Sequence, residues 1–212
     1  AMMKKLNKVN RPLLTEVPAH LKLSKEEFLK YYQKGIKLID TRDKTEFAKG
    51  HIPGSFSIQG NKSFSTWAGW LVNYDEDFML VAKSEDMEEL TRKLMRIGLD
   101  RIIGFIDSIE ETGIPLESNE VINLNEFKSK IEDKNVQVID VRNASEYEAG
   151  HINGAVNIFA GTIGDNIDKL DKGKEIIIHC QSGARSAIAQ SVLKAKGIKN
   201  VKNYSGGFAE WK

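Results

Sequence analysis

The sequence predicts an α/β protein of two tandem domains, each a parallel β-sheet flanked by helices. Two observations carry that prediction, and a third places a reactive group on it. The chain repeats itself. Leu38-Ile39-Asp40-Thr41-Arg42 returns one hundred residues later as Val138-Ile139-Asp140-Val141-Arg142. Glu46, Gly50, His51, Ile52, Gly54 and Ile58 then recur in the same register as Glu146, Gly150, His151, Ile152, Gly154 and Ile158. Within each copy short apolar runs alternate with helical patterns, as strands buried on both faces by crossover helices do. The single cysteine, Cys180, ends one such run, where open parallel sheets place their sites.

Residues 1–20, with Lys4, Lys5, Lys8 and the Arg11-Pro12 pair, read as a linker or arm. The first repeat spans 21–112. It opens with Ser24 three residues ahead of Glu27, a capping box in which side chains satisfy the unpaired N–H groups of a helix start. The apolar run ending at Asp40 follows as a strand. Trp67 and Trp70, three apart, share one helical face, for which core packing or an interface between the copies is expected, with contact to a further neighbouring domain as the sharper alternative. Gly113, Pro115, Ser118 and Asn119 mark a turn-rich boundary. The second repeat, 113–212, renews the capping box with Asn123 and Glu126. Its strands are expected at 136–140, 155–158, 175–179 and 200–204, and its helices at 124–132, 144–149, 165–170 and 184–196.

Composition narrows the function. Thirty-one basic and 30 acidic residues leave a net charge of +1, which gives no reason to expect nucleic acid or a membrane surface as partner. No apolar run is long enough to span a bilayer, and none reads as a signal peptide. One cysteine excludes an intramolecular disulfide and any two-thiol mechanism within the chain, and points to a reducing, cytoplasmic setting.

Cys180 lies between the β-branched run Glu175-Ile176-Ile177-Ile178-His179 and a helix starting near Ala184. Between them Gln181, Ser182, Gly183, Ala184, Arg185 and Ser186 form a short loop. Such a loop aims backbone N–H groups inward, and the helix start adds partial positive charge, so a thiolate and an anion bound to it are favoured. A buried structural cysteine requires neither the glycine nor the arginine.

These residues carry a family resemblance. The run 138–142, Glu146, Gly150-His151-Ile152-Asn153-Gly154-Ala155, the Cys180–Arg185 loop and Ser205-Gly206-Gly207-Phe208-Ala209-Glu210-Trp211 resemble, in order and spacing, a rhodanese domain across nearly the whole second half. The first half resembles the same fold through Asp40-Thr41-Arg42 and Gly50-His51-Ile52-Pro53-Gly54, but its loop, within Phe78 to Met87, has no cysteine. A degenerate copy followed by an active one, behind a short basic linker, resembles the C-terminal part of fusion proteins that begin with a persulfide dioxygenase domain. The resemblance implies a sulfurtransferase moving sulfane sulfur from thiosulfate or a glutathione-type persulfide to a thiol, sulfite or cyanide through a Cys180 persulfide.

In that reading Cys180 is the nucleophile and residues 181–186 bind the substrate, with Arg185 either holding the loop or meeting an anionic donor. Asp140, Arg142 and His151 are expected to be structural, because Asp40, Arg42 and His51 persist in the copy without the thiol. His179 is a poor candidate for the base, since adjacent strand residues point to opposite faces. The four histidines lack metal-ligand spacing, so no metal and no cofactor are expected. The rivals are a phosphatase or arsenate reductase on the same fold and a non-enzymatic sulfide-sensing or scaffold module. Phosphate-handling relatives carry five residues between cysteine and arginine. Cys180 and Arg185 are separated by four, which favours a sulfur atom over a phosphoryl group.

Overall fold

The structure is a computed structural model, and it describes residues 16–212. The basic part of the expected arm, up to residue 15, lies outside the described residues. The elements begin α1 (Lys25–Gln33), β1 (Lys37–Asp40), α2 (Lys44–Lys49), β2 (Phe56–Ser57), α3 (Phe64–Leu71), β3 (Phe78–Val81), α4 (Met87–Met95) and β4 (Ile102–Ile106). They continue β5 (Val121–Ile122), α5 (Leu124–Lys130), β6 (Val136–Asp140), α6 (Ala144–Glu148), β7 (Val156–Asn157), β8 (Glu175–His179), α7 (Ala184–Ala195), β9 (Val201–Tyr204) and α8 (Gly207–Trp211). The chain divides into two compact units: residues up to Thr41 with Ile58–Gly113, and Arg42–Ser57 with Ile114–Lys212.

In the first unit β3 lies parallel between β1 and β4, with Asp40 beside Val81 and Val81 beside Ile106. All four residues of β3 are buried, as its unbroken apolar sequence requires. Both expected capping boxes are present, Ser24 with Glu27 on α1 and Asn123 with Glu126 on α5. The two tryptophans do fall on a helix, α3. Its buried residues are Phe64 and Ala68, and Trp70 is 52% exposed, so core packing does not account for Trp70.

The second unit holds a five-stranded parallel sheet in the order β5-β9-β8-β6-β7. Its middle strand, β8, carries three consecutive buried isoleucines. The register sets Asp140 beside His179 and His179 beside Tyr204, so three strands end at one level and send their loops to the same edge. The helix expected at 165–170 is instead a pair of 3-10 turns, Ala160–Asp165 and Ile167–Lys169. Asp165, Asn166 and Asp168 are poor helix formers that favour turns, and they keep 165–170 from closing a regular helix. The short helix α8 and the edge strand β5 were not expected. Phe208 of α8 joins Ile122, Phe127, Val138, Ile177 and Tyr204 in one buried cluster, against which Trp211 packs. Among the described residues no helix is long and apolar enough to cross a membrane.

Candidate active site

The site grows from the carboxyl ends of β6, β8 and β9. After β6 the chain must turn sharply, and a buried ion pair fixes that turn. The Arg142 guanidinium donates to the Asp140 carboxylate from Nε at 3.0 Å and from Nη2 at 2.7 Å, while the Arg142 backbone N–H donates to Oδ1 at 3.0 Å. Asp140 is fully buried and Arg142 almost so. Desolvation makes such a pair a poor source of net stability, yet losing one partner strands the other charge in the interior. Arg142 Nη2 also donates to the Gly150 carbonyl at 2.7 Å, and its Cζ lies 4.1 Å from the centre of the Phe208 ring. In the first repeat Arg42 Nη2 donates to the Gly50 carbonyl at 2.9 Å, the same tie across the same turn.

Cys180 follows β8 and is 1% exposed. The Ser186 hydroxyl, from the first turn of α7, approaches its Sγ at 3.5 Å. The α7 helix starts at Gly183, whose φ of +81° is left-handed. Arg185 is held by a two-pronged pair with Glu146, Nη1 to Oε2 at 2.5 Å and Nη2 to Oε1 at 2.7 Å. Those bonds hold the Glu146 carboxyl below the usual carboxylate range and raise Arg185 above its own. The nearby Cys180 sulfur acts on Arg185 in the same direction. Glu146 closes a further capping box with Asn143 on α6, so one carboxylate both starts a helix and orients the arginine. Gln181, Ser182 and Ala184 lie on the exposed side of the loop, while Gly183 and Ser186 are buried.

A family model described as "Rhodanese-like domain" matches residues 24–108 and 123–212. The chain belongs to the rhodanese-like domain family. Among its relatives is the "putative sulfur carrier protein YrkF" of Bacillus subtilis, 38% identical over 91 residues, which make up 42% of this chain and 49% of that protein. The "thiosulfate sulfurtransferase GlpE" of Shewanella oneidensis is 29% identical over 90 residues, 42% of this chain and 89% of that protein. A "tRNA uridine(34) hydroxylase" of Hamiltonella defensa is 31% identical over 112 residues, half of this chain and 32% of the relative. The match thus spans about half of the sulfur carrier and a third of the hydroxylase. Relatives that share this domain include proteins named as sulfurtransferases.

The rhodanese-like second repeat brings Cys180, Arg185 and Ser186 together and keeps other marked residues apart. The His151 ring meets the Tyr147 carbonyl at 3.0 Å and stacks on the Tyr147 ring at 3.9 Å, a contact made within its own turn. His51 repeats both contacts with Phe47. The His179 ring is fully buried, with Nδ1 3.3 Å from the Cys180 carbonyl oxygen and Nε2 3.8 Å from Asp140. Burial holds it below the ordinary histidine range despite the nearby carboxylate. Two participants escaped the reading of the sequence. Glu146 stood out only as a repeated residue, and its spacing to a distant arginine cannot be read from one chain. The α8 segment was recognised as a motif, but its contact with the cysteine loop depends on where β9 ends.

Proposed function

We propose that the second repeat transfers sulfane sulfur through a persulfide on Cys180. The observation that carries this reading is the buried thiol at the end of β8, with the Ser186 hydroxyl 3.5 Å from its sulfur and Arg185, anchored by Glu146, on the same loop. In the first half-reaction the Cys180 thiolate attacks the outer sulfur of thiosulfate or of a glutathione-type persulfide. The donor's S–S bond breaks, its electron pair leaves with sulfite or the donor thiol, and Cys180 keeps the sulfur as a persulfide. In the second, an acceptor thiolate, sulfite or cyanide takes the terminal sulfur, and Cys180 leaves as thiolate. Atoms and charge balance in both steps, and rates follow thiolate fraction and leaving-group basicity. Gln181 through Ser186 bind the donor's transferred sulfur. The name of the thiosulfate-using relative supports thiosulfate as donor. The degenerate and active copies in tandem support a role beside a persulfide dioxygenase, in exchange among persulfide, sulfite and thiosulfate in a reducing cytoplasm.

The test is thiocyanate production from thiosulfate and cyanide by the full chain, alongside hydrolysis of an aryl phosphate. Wild type should turn over the sulfur donor, Cys180→Ser should not, and phosphatase turnover should be negligible. Phosphatase activity matching the sulfur transfer would overturn the reading.

A further inference from the structure

Sulfur transfer needs a loop whose N–H groups face the reacting sulfur, and the rhodanese-like second repeat contains a device that can set that orientation. The α8 backbone runs so close to the cysteine loop that a Cβ on Gly207 would lie 2.5 Å from the Cys180 carbonyl oxygen and 2.8 Å from the Gln181 carbonyl. Gly207 also has a φ of +63°, which side chains disfavour. Immediately after it, the Phe208 N–H donates to the Cys180 carbonyl at 2.8 Å and the Ala209 N–H to the Gln181 carbonyl at 3.0 Å. Both donors belong to the first turn of α8, whose N–H groups have no partner inside the helix. The loop on its side yields at Gly183, where a Cβ would sit 2.4 Å from the Ser205 carbonyl oxygen. Phe208 anchors the arrangement, with its ring in the core and under the Arg142 guanidinium.

A trans peptide directs its C=O and the following N–H to opposite sides. With the Cys180 and Gln181 carbonyls turned toward α8, the N–H groups of Gln181 and Ser182 point away from it. We propose that α8 is a positioning element for sulfur transfer, with Gly207 as its decisive residue. By binding two loop carbonyls it holds two N–H donors for the negative charge on the transferred sulfur. Such preorganised donors act where charge accumulates and need no rearrangement as it does. The proposal rests on the sulfurtransferase reading for its catalytic consequence, while the loop geometry stands without it.

The test compares Gly207→Ala with Gly154→Ala in the full chain. Gly154 has a φ of +79° and nothing within 4 Å of its built Cβ, so its variant incurs the left-handed cost without pushing the loop. Circular dichroism establishes that each variant folds. Steady-state transfer from thiosulfate and the rate of Cys180 alkylation by iodoacetamide are then measured; the second needs no sulfur chemistry. Gly207→Ala should lower kcat about a hundredfold with KM changed less than about threefold, and slow alkylation roughly tenfold, relative to Gly154→Ala. Should Gly207→Ala fail to fold, Ala209→Pro replaces the N–H that binds the Gln181 carbonyl with a ring carbon that pushes on it, in the first helix turn where proline is tolerated, and should lower kcat about tenfold. A folded Gly207→Ala, or in its place Ala209→Pro, matching Gly154→Ala in both kcat and alkylation overturns the proposal. If wild type transfers no sulfur, the functional reading fails and the alkylation rates alone decide the positioning role.

Discussion

The register of the strands makes Ala82 of the first repeat the counterpart of Cys180 in the second, because Val81 pairs with Asp40 as His179 pairs with Asp140. Around these two positions the backbone follows one plan. A buried aspartate ends the neighbouring strand, an arginine ties the next turn to a glycine carbonyl, and a helix begins a few residues on. The differences are chemical. The first loop passes through a 3-10 turn at Ser84–Asp86, with two acidic side chains where the second offers Arg185. After β4 a 3-10 turn at Glu110–Thr112 takes the place that α8 takes after β9. Among the described residues no backbone N–H from 107–113 reaches the carbonyls of 82–84. Residues that hold the turn are thus separable from residues that supply the thiol, its cation and its oriented donors. A copy can lose the second set and keep its fold.

The strongest challenge to that separation is to break the ties. Arg142→Ala leaves Asp140 charged in the interior and should cost about 3–5 kcal/mol by urea denaturation. Arg42 is only partly buried, and Arg42→Ala should cost less, about 1–2 kcal/mol. Equal losses would mean that the difference in burial between the two arginines does not set the cost. Next in size are Arg185 of the cysteine loop and the carboxylate on α6 that holds it. Arg185→Ala should lower transfer about a hundredfold and Glu146→Gln about tenfold, since the second leaves the guanidinium present but unheld. If Arg185 meets the sulfonate of thiosulfate, that donor should suffer more than a singly charged persulfide. Equal losses for both donors would assign Arg185 to holding the loop.

The smallest expected effect concerns His179, whose counterpart is Val81. Its folded pKa lies below 6.5, so the unfolded chain takes up the proton first as pH falls. Stability should therefore drop from about pH 6.5 downward until the folded histidine also protonates, with a slope of at most about 1.4 kcal/mol per pH unit. His179→Val should remove that slope, leaving the contribution in the same direction from the partly buried His20. A slope unchanged in the variant would place its origin elsewhere.

Much of this was legible in the sequence because it rests on local chemistry. The triple isoleucine of β8, the capping boxes and the glycine-bearing turn after Cys180 each announce their conformation within a few residues. The 165–170 stretch forms only a 3-10 turn at Ile167–Lys169, because Asp165, Asn166 and Asp168 bond to the backbone in turns more readily than they sit in a helix interior. Glu146 and Gly207 were present in motifs, but their roles depend on neighbours 39 and 26 residues away that only the folded sheet edge brings near. Trp70 is a different case: its spacing to Trp67 places both on a helix, but spacing alone does not say what such a face meets, and Trp70 is exposed.

The most direct measurement is intact-mass spectrometry of three full-length proteins after incubation with thiosulfate or glutathione persulfide: wild type, Cys180→Ser, and Cys180→Ser with Ala82→Cys. Wild type should gain one sulfur atom, removed by cyanide. Neither variant should gain any, because the first loop lacks the arginine and the oriented donors even when given a thiol. A cyanide-labile sulfur on Cys180→Ser would contradict the central role of Cys180. One on the double variant would contradict the separation of fold from chemistry.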